Sequence, residues 1–310
     1  MIEEKVIIGK GGKYPLNGIL SLPKDRNSAI PALVLVHGSG PNNMDESIGQ
    51  NKPFRDIAGY LPSKGIAVLR YDKRTFAHGK QMVMESSNGI TVKDETIEDA
   101  VLAANLLRDD SRIDSDKIYI LGHSLGGMLA PRIDAEGGNF SGLIIFAGSP
   151  RTLTDIMISQ NEDIIPQLGK LLQIFAKKQF KSLKAKFDAL EGMTEDEAKK
   201  TKFAGGTSLW YLKEMAEHPA AEYLKAIEKP VFILHPEKDS HVSVEKDFDL
   251  YKKICAGKQN IHFKLYPELN HLFMKSIYGR IKDLRKEYKI PQNVDAAVLE
   301  DIAQFILRIK

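Results

Sequence analysis

Serine hydroxyls are poor nucleophiles unless the chain places them in a special turn, and Gly122-His123-Ser124-Leu125-Gly126 has the composition of such a turn. Gly127 extends it; an apolar run, Ile118–Leu121, precedes it and a helical stretch, Met128–Ile133, follows. In Gly-x-Ser-x-Gly between strand and helix, the glycines leave the turn free of side chains, the serine is held strained and exposed, and the helix N-terminus favours negative charge beside it. Three fixed positions also arise by chance, so the setting carries the reading. Pro131 fits the following helix poorly and is expected to kink or end it.

A nucleophilic serine needs a base and a group that orients the base. Asp239 follows the apolar run Val231–Leu234, and His271 follows the run Ile261–Leu265. The order serine, acid, histidine is that of the strand–turn–helix nucleophile. His271 is expected to reach Ser124 through Nε2 while Asp239 holds its Nδ1–H. Glu237 is the local rival for the acid; Asp247 and Asp249 fall inside the next helix and are expected to face solvent. Among the other histidines, His262 lies in a strand, His235 and His241 flank Asp239, His78 and His218 have no partner motif, and His123 is the variable position of the turn.

His37-Gly38-Ser39-Gly40-Pro41 follows the run Ala32–Val36. A glycine-rich loop there can aim amides at a developing oxyanion, and the backbone N–H groups of Ser39 and Leu125 are the expected donors. His37 reads as a structural residue of that loop. The loop lacks the Gly-Lys-Ser/Thr ending of a phosphate-binding loop and the Gly-x-Gly-x-x-Gly spacing of a dinucleotide site. His235, Asp239 and His241 sit near one another, but no His-Glu-x-x-His or i, i+4 histidine pair accompanies them, so neither metal nor cofactor is expected.

These residues must be positioned by a sheet. Ala32–Val36, Ile66–Leu69, Ile118–Leu121, Leu143–Phe146 and Val231–Leu234 lack polar alternation, as strands buried on both faces do. Ile261–Leu265 alternates and suits an edge; Lys5–Ile8 and Leu16–Leu22, joined through Gly9, Gly11 and Gly12, suggest an antiparallel hairpin at an edge. Helical periodicity lies between the runs at Thr96–Leu107, Ser243–Cys255 and Val294–Ile309, the last with Val298, Ile302, Phe305, Ile306 and Ile309 on one stripe. The alternation predicts an α/β fold with a mostly parallel, doubly wound sheet. Residues 1–150 and 230–310 would form its core. Residues 151–229 show only helical spacing, as in Leu168, Leu171, Leu172 and Phe175, and read as a helical cap inserted between sheet strands. Phe175, Phe180, Phe203, Trp210 and Tyr211 are candidates to line a pocket beneath it, Trp210 and Tyr211 foremost.

With 44 basic and 41 acidic residues in 310, a net charge of +3 calls for neither nucleic acid nor an anionic membrane. The single cysteine, Cys255, excludes an intrachain disulfide and is expected to be buried and inert. The acidic start, Met1-Ile2-Glu3-Glu4-Lys5, is unlike a secretory signal, and no run approaches the roughly eighteen apolar residues of a membrane span, so a cytoplasmic enzyme is expected.

Taken together, His37–Pro41, Tyr71-Asp72-Lys73-Arg74, Gly122–Gly127, Asp239 before Val242 and Asn270-His271-Leu272-Phe273 resemble the α/β-hydrolase superfamily over nearly the whole chain. In detail the chain is similar to bacterial carboxylesterases with a helical cap, cinnamoyl and feruloyl esterases among them, and to related peptidase-like hydrolases. Thr75-Phe-Ala-His-Gly79 stands where relatives carry Gly-x-Gly, and Pro236 where they tend to carry glycine. The resemblance implies hydrolysis of a small-molecule carboxylic ester through an acyl-enzyme on Ser124. A peptidase or acyltransferase with the same residues, or a non-catalytic ligand-binding member, are the alternatives.

Overall fold

The computed structural model describes residues 1–25, 28–86, 89–203 and 207–308. Eight strands form one sheet: β1 (Ile2–Ile8), β2 (Leu16–Leu22), β3 (Ile30–Val36), β4 (Ala67–Tyr71), β5 (Ile113–His123), β6 (Gly142–Phe146), β7 (Val231–Pro236) and β8 (Ile261–Tyr266). Their order is β1-β2-β4-β3-β5-β6-β7-β8. β1 and β2 form the expected antiparallel hairpin and β2 meets β4 antiparallel; every later pairing is parallel. β4, β6 and β7 are buried throughout, whereas edge strand β8 alternates over Ile261–Lys264 before Leu265 emerges at the surface.

Strand periodicity sorts β3 onto two cores. Ala32, Val34 and Val36 face one, with Ala100, Ala104 and Leu107 of α3 (Glu98–Arg108) and Leu129 and Ile133 of α4 (Leu125–Ile133). Leu33 and Leu35 face the other, with Phe54 and Ile57 of α1 (Pro53–Tyr60) and Val298, Ile302 and Ile306 of α12 (Ala296–Arg308). Ile309, expected on that last stripe, lies outside the described residues. Leaving β3, the chain winds to β4 on one side and then returns to β5 on the other. Such a reversal opens a crevice beyond the C-terminal strand ends, where ligands of this architecture bind.

α2 (Arg74–Glu85) begins directly after β4, so Thr75–Gly79 is helical, and it is anchored by a bidentate pairing of Arg74 with buried Asp99. Pro131 does not end the first turns of α4; the helix runs two residues further and then passes into a π turn at Asp134–Gly138. π turns also open α3, at Lys93–Ile97, and α10 (Asp249–Ile254), at Val244–Phe248. Among the described residues, five α-helices lie between β6 and β7: α5 (Leu153–Ile164), α6 (Lys170–Asp188), α7 (Glu195–Lys200), α8 (Trp210–Glu217) and α9 (Ala220–Ala226); α11 (Leu284–Glu287) follows β8. Phe187, Leu190, Ala198, Leu209 and Leu212 give this segment a small core of its own. Met215, Ala220 and Leu224 instead join the main core, so its C-terminal part is fastened to the sheet layer. Among the described residues no helix is long and apolar enough to cross a membrane. Cys255 is a buried free thiol, its pKa raised by that burial.

Candidate active site

β5 ends at His123, and the chain turns into α4 through Ser124, whose φ of 52° and ψ of −114° lie in a region that costs a non-glycine residue about 1–3 kcal/mol. The flanking glycines explain how the turn closes. A Cβ on Gly122 would stand 2.1 Å from the Gly126 carbonyl oxygen, and one on Gly126 would stand 2.3 Å from that of Val36. Only hydrogen fits in either place. The Ser124 amide is tied to the Phe146 carbonyl at 2.9 Å, which fixes the turn against β6.

His271 and Asp239 reach the same end of the sheet from the loops after β8 and β7. His271 Nδ1 lies 2.7 Å from Asp239 Oδ2, while Asp239 Oδ1 accepts the amides of His241 at 2.7 Å and Val242 at 3.1 Å. Both carboxylate oxygens are thus engaged. Burial, assisted by His123, holds the His271 pKa well below its ordinary 6.5, so the ring is neutral at pH 7 and able to accept a proton. Burial raises the Asp239 pKa against the lowering effects of His241, His235 and the two amides. Ser124 and His271 border one cavity. Glu237 hydrogen-bonds through its amide to Tyr266 and is exposed.

Ser39 and Leu125 also border that cavity, and no hydrogen bond ties either amide to another described residue. The loop that carries Ser39 is clamped on both sides of Gly38: its N–H donates to Glu46 Oε1 at 2.7 Å and its carbonyl accepts Lys73 Nζ at 3.0 Å. His37 is buried beneath, its Nε2 3.0 Å from the Asn43 carbonyl and its ring 5.0 Å from that of Phe54; burial lowers its pKa to about 4.

His123 has a larger part than its position in the motif suggested. Its Nδ1 is 2.9 Å from Glu46 Oε2 and its Nε2 is 3.1 Å from the His271 carbonyl, so two acceptors flank one ring. That setting favours the doubly protonated ring. Burial works against a charged ring, but the negative charge of Glu46, 2.9 Å away, and the His271 carbonyl outweigh it and raise the His123 pKa. For Glu46, burial is likewise outweighed by His123 and the Gly38 amide, and its carboxyl stays below the ordinary range. One buried ion pair therefore links the Gly38–Ser39 loop, the Ser124 turn and the backbone of His271.

The cavity measures about 1120 Å³ and its walls are largely apolar, with Ile90, Met128, Leu153, Ile156, Met157, Phe203, Tyr211 and Leu212 prominent. Tyr211 and Phe203 border the cavity. Trp210 does not: it packs in the helical segment's own core with Lys199 over its ring at 5.2 Å, because one residue along α8 turns the side chain roughly 100° away from Tyr211. Phe175 and Phe180 are absent from the walls as well, and Phe175 is 62% exposed on α6. Asp247 does not face solvent. The π turn at Val244–Phe248 carries it inward, where it accepts Ser149 Oγ at 2.5 Å, Arg151 Nε at 2.8 Å and the Ser243 amide at 2.7 Å. Asp249 is half-buried. Among the described residues no three His, Cys, Asp or Glu side chains converge as metal ligands would, and His235, buried against Phe248, has no hydrogen-bond partner at either ring nitrogen.

A mostly parallel sheet with an antiparallel start, helices on both faces, and a strained serine at the switch point define an α/β-hydrolase. The chain belongs to the Hydrolase_4 family, described as serine aminopeptidase, S33, which matches residues 29–276. The chain is an enzyme, a hydrolase. It is 36% identical to Esterase EstD of Thermotoga maritima over 306 residues, which cover 99% of this chain and 68% of the relative. Among solved structures it is similar in fold to Est1E from Butyrivibrio proteoclasticus, with a TM-score of 0.59 and 16% identity over 98% of this chain and 99% of that one. A Pyrococcus furiosus esterase gives 0.59 and 17%, over 99% and 90%.

Proposed function

We propose that this hydrolase cleaves small-molecule carboxylic esters with Ser124 as nucleophile, His271 as base, Asp239 as orienting acid and the Ser39 and Leu125 amides as oxyanion donors. The observation that carries the reading is the buried 2.7 Å contact of His271 with Asp239, bordering the same apolar cavity as a strained serine. Ser124 Oγ attacks the ester carbonyl and its proton passes to His271 Nε2. The tetrahedral oxyanion collapses, expelling the alcohol, which takes that proton. Water then attacks the acyl-enzyme with His271 again as base, releasing the acid and restoring Ser124. Residues 151–229 act as the cap, contributing Tyr211, Phe203 and the α5 side chains that select the acyl or alcohol group.

The family description admits an aminopeptidase, which needs a carboxylate free to anchor an amino terminus. The two glutamates bordering the cavity are both engaged, Glu46 with His123 and Glu95 with Lys73, and this favours the ester. EstD, the Thermotoga relative, carries the name esterase. Initial rates on p-nitrophenyl esters of increasing acyl length, beside aminoacyl p-nitroanilides, test the choice. Activity on esters that peaks at one chain length and disappears in Ser124→Ala supports it; cleavage of the anilides alone would replace it with the peptidase.

A further inference from the structure

Burying a lysine is costly unless its ammonium is fully paired, and a Lys–Glu pair in a core can often be replaced by apolar residues without loss of stability. Lys73 is 2% exposed, and its two partners are informative. Nζ donates to the Gly38 carbonyl at 3.0 Å and to Glu95 Oε1 at 3.3 Å. The same Glu95 oxygen accepts the Tyr211 hydroxyl at 2.6 Å. Tyr211 belongs to α8, in the segment over the cavity.

A trans peptide is planar, with its carbonyl and N–H pointing in opposite directions. Whatever holds the Gly38 carbonyl therefore aims the Ser39 N–H the other way. Lys73 holds it at 3.0 Å, and Asn42 Nδ2 adds a longer contact at 3.4 Å. We propose that Tyr211, Glu95 and Lys73 form a positioning chain that couples the seating of α8 to the aim of the Ser39 amide at the oxyanion. None of the three touches the reacting atoms; they act through the Gly38–Ser39 peptide. The closed segment thus completes the oxyanion site, and a substrate that keeps α8 from seating leaves it misaimed. This inference rests on the role given above to Ser39.

The test compares Tyr211→Phe, Lys73→Met and the double variant with the parent enzyme, using a p-nitrophenyl ester and phenylboronic acid, which forms a tetrahedral adduct on a reactive serine. An oxyanion donor lost outright costs ~100- to 1000-fold in kcat, so a misaimed one should cost less. We expect kcat to fall roughly 3- to 10-fold in Tyr211→Phe and about 10- to 100-fold in Lys73→Met on that scale, with KM within about twofold. Boronate affinity should weaken by factors matching kcat. Because the groups act in series, the double variant should be no worse than Lys73→Met alone. A rise in KM with unchanged kcat would make Tyr211 only a wall of the cavity and overturn the proposal, as would multiplicative losses. Should Lys73→Met not fold, Tyr211→Phe alone decides the matter: a fall in kcat matched by weaker boronate affinity at constant KM supports the chain, and kcat and boronate affinity equal to the parent overturn it. Ser124→Ala separates the two levels, since activity surviving there defeats the serine reading, whereas unchanged kcat in the chain variants defeats only the coupling.

Discussion

Adding one methyl group at Gly126 should disable the enzyme while leaving the sheet standing. A Cβ there would lie 2.3 Å from the Val36 carbonyl oxygen, 2.7 Å from that of His37 and 2.9 Å from the Val36 carbonyl carbon. All three are backbone atoms, so no side chain can rotate away. Restoring an ordinary contact of about 3.4 Å or more requires the turn and the end of β3 to separate by roughly 1 Å. That movement parts Leu125 from Ser39, the two amides assigned to the oxyanion. A displacement of ~1 Å at the reacting centre costs on the order of 100-fold in rate, and overpacking of this kind costs about 1–3 kcal/mol in stability. The control is Gly59→Ala in α1, where nothing lies within 4 Å and the helix should gain about 0.5–1 kcal/mol. Steady-state kinetics on a p-nitrophenyl ester and urea denaturation of both variants make the comparison. Gly126→Ala with activity within threefold of the parent and unchanged stability would refute the reasoning, because the clash would then have been absorbed without moving the turn.

Three further outcomes follow from the same geometry. Because burial and His123 hold the His271 pKa well below 6.5, and only neutral His271 can accept the serine proton, kcat/KM should stay flat as pH falls through 6.5 and decline only at more acidic values; a pH–rate profile half-maximal at or above 6.5 contradicts this. Glu46→Leu should destabilise the fold by about 1–3 kcal/mol in urea denaturation, since it leaves the buried Gly38 amide without its acceptor and removes the ion-pair partner of His123, while Glu46→Gln keeps an acceptor for that amide and should lose less. Asp239→Asn should lower kcat by on the order of 10⁴-fold with little change in KM, as the Nδ1–H of His271 loses the acceptor that sets its tautomer.

The parts legible from residue order were those whose physics is local. Gly122 and Gly126 announce a turn that no side chain can share, and the apolar runs announce strands buried on both faces; the sheet, its edge hairpin and the approach of His271 to Asp239 follow from these. What escaped was set by distant partners or by helical phase. Nothing adjacent to His123 marks it as charged, because Glu46 reaches it from another loop. The path Lys73–Glu95–Tyr211 spans separations of 22 and 116 residues and becomes visible only when α8 lies over the cavity. Asp247 reads as solvent-facing from helical spacing, but the π turn at Val244–Phe248 leaves it buried against Arg151, and composition alone does not say which of the adjacent aromatics Trp210 and Tyr211 faces the cavity.

The identity of the nucleophile is tested most directly by intact-protein and peptide mass spectrometry after treatment with a fluorophosphonate, which phosphonylates an activated serine. The geometry calls for one adduct, on the peptide that carries Ser124, formed in step with loss of esterase activity and absent from Ser124→Ala. An adduct on any other residue that tracks the loss of activity, or full activity with Ser124 modified, would contradict it.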